Sequence, residues 1–167
     1  AIAQQSDPLR SMIVPHELHD AHLEEISNTF PAPVVRWSAA EVTSTDPMGG
    51  AAPFRWQAPT LLVDRMGLLS GLYKYADITY VGGGFGSGIH NLLEAAAWGK
   101  PVIFGPNHQR FAEAQGLIDA GAGFVVNNAP ELRLVLDRLL SDPAALERAS
   151  TNARNYVRTR TGATARV

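Results

Sequence analysis

One glycine-rich stretch, residues 82–88, constrains the fold of this chain more than any other part of its sequence. Five of its seven residues are glycine, so the backbone there can approach a bound group closely. The residues just before it, up to Val81, are good strand formers. Helical spacing begins at about Ile89 and ends at Gly99, which is placed as a C-cap. A strand, a glycine turn and a helix N-terminus in this order predict an anion site, with phosphate as the usual anion.

The helix predicted after the glycines has an apolar face. Leu93, Ala96 and Ala97 recur at helical spacing and are expected to face a sheet. Trp98 lies near the helix end and is interpreted as a core residue that packs on the sheet. The polar residues of the helix are thereby placed on the opposite side, where a ligand can reach them.

Short apolar segments alternate with helical segments along the rest of the chain. Strands are predicted at 12–14, 34–37, 60–63, 78–81, 102–104 and 124–126, and helices at 16–28, 68–76, 89–99, 109–120, 131–140 and 143–159. This alternation predicts an α/β fold in which a parallel sheet has helices on both faces. Residues 1–9 are interpreted as a helix end or a frayed terminus, and residues 38–58, rich in Ser, Pro and Gly, as a long surface loop.

Composition narrows the classes of function. The formal net charge of −2 gives no indication of a nucleic-acid partner, and the absence of cysteine excludes disulfides and thiolate metal sites. His16, His19 and His22 are three residues apart, but such steps turn the outer two about 120° from each other on a helix, so no metal site is predicted. No apolar run approaches the roughly 20 residues of a membrane span.

The ligand predicted for the glycine-rich stretch is not a dinucleotide. Read from Gly82, the pattern G-x-G-x-x-G fails because its last position is Ser87. The acid expected about 20 residues further on is also missing, and the absence of G-K-[ST] excludes a P-loop. A nucleotide-sugar site is the alternative, in which Glu94 accepts from two ribose hydroxyls and Asn91 reaches phosphate or sugar. Three loops, 15–17, 64–67 and 82–91, are expected to converge there, at the carboxyl ends of the strands.

Each of these residues also has a plainer interpretation. The glycines could form only a tight strand–helix turn. Glu94 could be a solvated helix residue, Asn91 could cap the free N–H groups of the helix, and His90 could be an ordinary polar residue of the first turn.

The same residues carry a resemblance to a known family. Residues 64–69, 80–84, 90–96 and 99–106, with the core His-Asn-x-x-Glu-Ala-Ala and a following Gly-Pro, resemble the C-terminal half of 3-deoxy-D-manno-octulosonic acid (Kdo) transferase. More broadly, the stretch from about 12 to 163 is similar to the Rossmann-like C-terminal lobe of two-lobed GT-B glycosyltransferases. The resemblance implies a lobe that binds CMP-Kdo and helps to transfer Kdo to a lipid A precursor by inverting glycosyl transfer.

The resemblance also implies the residues of the site. The family's Pro-Arg-His turn corresponds to 15–17, where its arginine is absent, and Leu68 replaces the glutamate of its Met-Gly-Glu-Leu motif, which leaves backbone contacts to cytosine. Because the donor has one phosphate and no pyrophosphate, neither a metal nor another cofactor is expected. The predicted nucleotide-sugar contacts are His16, Met66, Gly67, Leu68, Gly83, Gly84, His90, Asn91 and Glu94.

The family's catalytic carboxylate and acceptor-binding surface lie in an N-terminal lobe that has no counterpart in these residues. We therefore expect 1–167 to be a single nucleotide-sugar-binding domain, a fragment that lacks the N-terminal lobe and the first strand of its own lobe, and inactive alone. The implied partners are the CMP-Kdo donor and, through the missing lobe, the lipid A precursor. An open sheet edge could also allow self-association.

The full-length protein is expected at the cytoplasmic side of the inner membrane, and this fragment is expected to be soluble. Two alternatives stay open at this point: a GT-B lobe that uses a UDP-sugar, and a non-catalytic nucleotide-binding module.

Overall fold

The computed structural model describes residues 9–30, 33–40, 56, 58–86 and 88–161. In this part of the chain, short strands alternate with helices, and the chain divides into two compact units, Ala1–Leu72 and Tyr73–Val167. The strands are β1 (Ser11–Ile13), β2 (Val34–Arg36), β3 (Thr60–Leu62), β4 (Thr79–Val81), β5 (Val102–Phe104) and β6 (Gly123–Val125). The helices are α1 (Asp20–Thr29), α2 (Leu69–Leu72), α3 (Leu93–Ala97), α4 (Ala112–Asp119), α5 (Ala129–Ser141) and α6 (Pro143–Thr161), with a 3₁₀ turn at Tyr73–Tyr75.

The first unit is built on a parallel three-stranded sheet in the order β1-β3-β2. Leu61 of β3 pairs with Met12 on one side and with Val35 on the other. All three residues of β3 are buried, as expected for the central strand of a parallel sheet. The helix α1 begins at Asp20 because the Nδ1 atom of His19 accepts a hydrogen bond of 3.2 Å from the backbone N–H of His22.

The second unit has its own parallel sheet, in the order β4-β5-β6. The three residues of β5 have no solvent exposure, since the strand has a neighbour on each side and an apolar core around it. The helix α4 approaches α6 closely at Gly116, where a Cβ atom would lie 2.1 Å from the hydroxyl oxygen of Tyr156. Only a residue without a side chain fits at this crossing.

The end of α3 follows the sequence prediction. Gly99 has φ +68°. Its N–H donates a hydrogen bond of 2.9 Å to the carbonyl of Ala96, and the N–H of Lys100 donates one of 3.2 Å to the carbonyl of Ala95. This pair of bonds is a Schellman motif, which satisfies the last carbonyls of the helix. The predicted role of Gly99 as the stop of this helix is confirmed.

The start and the faces of α3 differ from the prediction. The helix begins at Leu93 and not at about Ile89, because the N–H groups of Gly88 and His90 bond back to the carbonyls of Gly83 and Gly82 and hold these residues in the loop. The face that contacts the core is consequently rotated. The fully buried residues are Leu92, Ala95 and Ala96, whereas Leu93, Ala97 and Trp98 are exposed.

Trp98 was expected in the core, and that prediction is wrong, since 43% of the residue is exposed. It is the C-cap of α3 and lies four residues after Glu94, on the solvent side.

The α/β class is confirmed as parallel sheets with helices around them, and the six described strands fall within a residue or two of their predicted positions. Their hydrogen bonds form two sheets of three strands, one in each unit, where the sequence predicted one sheet. The terminus predicted at 1–9, apart from Leu9, and most of the loop predicted at 38–58 lie outside the described residues. None of the described helices combines the length and apolarity needed to cross a bilayer.

Candidate functional site

The glycine-rich loop is closed on itself by its own backbone. The N–H groups of Gly86 and Gly88 both donate to the carbonyl of Gly83, at 2.9 and 3.3 Å. Gly83 has φ +88°, and a Cβ atom there would lie 2.2 Å from the carbonyl oxygen of Gly88. Glycine at 83 is therefore required by the turn itself, whether or not a ligand is bound.

The same loop packs against the segment that follows β5, residues 105–111. A Cβ atom on Gly84 would lie 2.5 Å from the backbone nitrogen of Gly105, so the two backbones are in direct contact. Asn107 joins them twice, through its N–H to the carbonyl of Gly84 at 2.9 Å and through its Nδ2 to the carbonyl of Gly86 at 3.0 Å. Segment 105–111 and the glycine-rich loop thus form one rigid edge of the second unit.

Asn91 and Glu94 are brought together just after the loop. The Nδ2 of Asn91 donates to Oε1 of Glu94 at 2.9 Å, and its Oδ1 accepts from the N–H of Leu93 at 2.9 Å. Both side chains are exposed, and Glu94 is the second residue of α3. The plainer interpretation of Asn91 therefore holds in part, since its amide satisfies a free N–H at the helix start. In doing so, it also fixes the Glu94 carboxylate.

Tyr73 interacts electrostatically with Glu94. Burial raises the pKa of the Tyr73 phenol above its usual range, and the negative charge of Glu94 adds to this effect. Tyr73 therefore remains a neutral hydroxyl, a donor as well as an acceptor, throughout the physiological range. It also packs against the apolar core of the second unit. The sequence placed this residue only in a helical pattern.

A cleft of about 370 Å³ opens between the glycine-rich loop and segment 105–111. Arg110, an exposed residue, is the single charged member of its described lining. Sequence reasoning missed Arg110, because it treated 109–120 as one helix, whereas α4 begins only at Ala112. The signal that would have found it is its place after the carboxyl end of β5, the edge at which such sheets bind ligands. The cleft is lined by Gly86, Gly88, Asn107, Gln109, Arg110 and Phe111.

The predicted contacts of the first unit follow β1 and β3. Met66 is 74% exposed, Gly67 has φ +83° and Leu68 is half-buried, all in the segment after β3. His16 is exposed in the turn after β1. Because β1 and β3 are parallel neighbours, the turns 15–17 and 64–67 begin at the same edge of this sheet.

Asp64 anchors the segment that carries Met66 and Gly67. Its carboxylate accepts from the backbone N–H of Ser38 at 2.9 Å and from the Ser38 hydroxyl. Burial opposes ionisation of Asp64, but these hydrogen bonds and the nearby charge of Arg36 outweigh it and lower the pKa of the carboxyl. The ionised carboxylate thus joins the segments that follow β2 and β3.

The predicted site residues fall into two groups. Gly83, Gly84, His90, Asn91 and Glu94 lie within a few residues of one another in the second unit, whereas His16, Met66, Gly67 and Leu68 belong to the first unit. Convergence of the three loops on one ligand stays a prediction. Within the described residues, no three acidic or histidine side chains are grouped to hold a metal ion.

Comparison with known proteins confirms the resemblance seen in the motifs. No protein-family model matches the sequence. The chain is 44% identical over 87 residues to the 3-deoxy-D-manno-octulosonic acid transferase of Aquifex aeolicus (strain VF5), a match that covers 51% of this chain and 25% of that protein. It is 40% identical over 111 residues to the enzyme of the same name from Bordetella pertussis, which covers 64% of this chain and 25% of that protein. The matches thus span about a quarter of the length of these relatives.

The fold is also that of a solved structure. The C-terminal CMP-Kdo binding domain of WaaA from Acinetobacter baumannii superposes with a TM-score of 0.71 over 89% of this chain and 74% of that domain, at 22% sequence identity. At this level of identity the likeness establishes a shared fold.

Proposed function

We propose that this chain binds the CMP part of CMP-Kdo as the donor lobe of a glycosyltransferase that transfers Kdo to a lipid A precursor in lipopolysaccharide synthesis. The observation that carries the proposal is the Asn91–Glu94 pair, held by a 2.9 Å hydrogen bond directly after the glycine-rich loop. The similarity to Kdo transferases supports the choice of nucleotide. Because the chain spans only part of those relatives, the transfer reaction is proposed for the whole protein.

Within the site, Glu94 is assigned to the ribose. An ionised carboxylate has about four acceptor positions, so the hydrogen bond from Asn91 leaves room for two ribose hydroxyls. Asn91, His90, Gly83 and Gly84 are assigned to the phosphate side of the ligand. Asn91 has the further role of orienting Glu94, which lowers the entropy lost when the nucleotide is bound.

The cytosine is assigned to the first unit. Gly67 has a positive φ, and the backbone of 66–68 is assigned to the edge of the base. Met66 and Leu68 supply apolar surface for the ring, and His16 lies in the turn that corresponds to the family's arginine.

The acceptor and the catalytic base are assigned to other parts of the whole protein. A base there would take the proton of the acceptor hydroxyl as it attacks the anomeric carbon of Kdo, and CMP would leave. The groups of this chain would then stabilise the charge that grows on the departing phosphate. We place the whole protein at the cytoplasmic side of the inner membrane, where its lipid acceptor would be met.

A nucleotide panel tests the proposal. The thermal midpoint of the protein is measured with CMP, UDP, NAD and inorganic phosphate. We expect CMP to raise it most, since a ligand that binds only the folded state at 100 times its Kd adds about 2.7 kcal/mol of stability. A rise with UDP alone would favour a UDP-sugar transferase, and no rise with any nucleotide would contradict the proposal.

A further inference from the structure

We propose that Arg110 binds an oxyanion of the donor in the cleft between the glycine-rich loop and segment 105–111. The inference rests on the proposed function and extends it to a side chain outside the predicted contacts. The oxyanion is either the phosphate or the carboxylate of the ulosonic acid, since both present a pair of oxygen acceptors to which a guanidinium can donate two parallel hydrogen bonds.

The two residues that flank Arg110 in sequence, Gln109 and Phe111, each make a contact that holds this part of the chain. The ring of Phe111 lies against Gly88, where a Cβ atom would be 3.0 Å from Cε2 of the ring. On the other side, Nε2 of Gln109 donates to the carbonyl of Pro106 at 2.7 Å. The backbone of Arg110 is therefore positioned before a ligand arrives, which reduces the cost of binding.

In the described part of the chain, the charge of Arg110 is not neutralised by a carboxylate. Among the residues that the structure describes, no carboxylate forms an ion pair with Arg110. By contrast, Nε of Arg133 lies 3.4 Å from Oδ2 of Asp137, and Nη2 of Arg148 lies 3.8 Å from Oδ2 of Asp142. The other described residues that line the cleft are uncharged, so an anion that enters meets one unpaired positive charge and no repulsion from the lining.

Three backbone donors at the loop are already used within the loop. The N–H groups of Gly86, Gly88 and His90 are already bonded to carbonyls of the same loop. The helix behind it has only five residues and starts at Leu93, so its N-terminus does not follow the loop directly. A side-chain cation at the cleft supplies the positive charge that these backbone groups do not. The volume of about 370 Å³ is within the roughly 300–1,000 Å³ of small-molecule sites.

Three variants and three probes test the inference. Arg110→Gln removes the charge, Arg110→Lys keeps it without the planar fork, and Arg133→Gln is the matched control on α5. Isothermal titration measures the affinities for CMP, cytidine and free Kdo. We expect Arg110→Gln to weaken binding of CMP or of Kdo by about tenfold, Arg110→Lys to lose less, and Arg133→Gln to match the wild type.

The pattern of loss identifies the oxyanion. A loss for CMP but not for cytidine assigns Arg110 to the phosphate, and a loss for Kdo with CMP unchanged assigns it to the carboxylate. If Arg110→Gln binds all three probes as the wild type does, the inference is overturned. The proposed function still stands in that case if the wild type prefers CMP over UDP. If the wild type binds no cytidine nucleotide, the proposed function fails, and the inference fails with it. An unchanged thermal midpoint of Arg110→Gln excludes misfolding as the cause of a loss.

Discussion

At the scale of single residues, the Asn91–Glu94 hydrogen bond decides how the carboxylate is presented. Both side chains are exposed, so the bond competes with water and adds at most about 1 kcal/mol to the free energy of unfolding. Its larger effect is on rotamer freedom, because a free glutamate side chain carries up to about 2 kcal/mol of conformational entropy. Asn91, fixed in turn by the N–H of Leu93, removes part of that cost before the ligand binds.

Glu94→Gln should therefore weaken binding of CMP about tenfold while leaving the thermal midpoint nearly unchanged. The amide has two acceptor positions in place of about four, which is too few for Asn91 and two ribose hydroxyls together. Isothermal titration with CMP and with 2′-deoxy-CMP measures the effect. The wild type is expected to prefer CMP over 2′-deoxy-CMP, and Glu94→Gln to lose most of that preference.

Glu147→Gln is the matched control, since Glu147 is also an exposed helical glutamate of the second unit. It is expected to bind both nucleotides as the wild type does. If Glu94→Gln keeps the full preference for the ribose 2′-hydroxyl, then Glu94 does not contact the ribose.

At the scale of elements, the N-terminus of α5 is the best-defined helix start of the described chain. Oδ1 of Asn128 accepts from the N–H of Glu131 at 2.9 Å, and Oε2 of Glu131 accepts from the N–H of Asn127 at 2.8 Å. This pair is a variant of the capping box, in which the N3 carboxylate bonds to the N–H of the residue before the N-cap. The hydrogen bond from the Asn127 backbone, followed by that from its side chain, lowers the pKa of Glu131.

The capping box predicts how stability depends on pH. Because the pKa of Glu131 is lowered in the folded state, its ionised form stabilises the protein above the ordinary glutamate pKa of about 4. That contribution is lost as the pH falls through the folded-state pKa. Glu131→Gln should therefore lower the thermal midpoint at pH 7 and have a smaller effect at pH 3, as measured by circular dichroism.

Asn128→Ala tests the cap together with the hydrogen bond of 3.1 Å that Nδ2 of Asn128 donates to Oε1 of Glu131. It removes the N-cap acceptor and should cost about 1 kcal/mol of stability at pH 7. Glu147→Gln again serves as the control, with no expected change at either pH. An effect of Glu131→Gln that is the same at both pH values would show that the charge of Glu131 does not contribute.

At the scale of the whole molecule, each unit presents its proposed ligand contacts at or after the carboxyl ends of parallel strands. Met66, Gly67 and Leu68 follow β3 in the first unit, and the glycine-rich loop follows β4 in the second. Open parallel sheets bind their ligands at the carboxyl ends of the strands.

Met66→Ala tests the assignment of Met66 to the base. Met66 is 74% exposed, so its truncation should leave the folded protein unchanged, but it should weaken CMP binding about fivefold if roughly 40 Å² of apolar contact with the base is lost. Leu134→Ala, which truncates a residue that is 68% exposed on α5, is the control. Unaltered affinity of Met66→Ala for CMP, with a loss in Glu94→Gln, would mean that the first unit does not contact the nucleotide through Met66.

The predictable parts of this fold are those set by neighbours in sequence. The apolar run 102–104 is observed as β5 with the predicted bounds, because a short, wholly apolar segment has few alternatives to a buried strand. The start of α6 at Pro143 agrees with the predicted helix 143–159, and Oδ1 of Asp142 accepts from the N–H of Ala145 at 3.0 Å. Asn91 and Glu94 are three residues apart in sequence, and they are hydrogen-bonded although Asn91 lies before the start of α3.

By itself, the sequence determined the class of the fold, the stop of α3 at Gly99 and the polar pair that follows the glycines, because each depends on contacts within a few residues. Only the tertiary structure decided where α3 begins, which of its residues are buried, and that Arg110 lies beside the glycine-rich loop. The backbone donors of Gly88 and His90 are taken by Gly83 and Gly82, which delays the helix. Arg110 reaches the loop because β4 and β5 are neighbours in a parallel sheet, so that segments more than 20 residues apart meet at one edge.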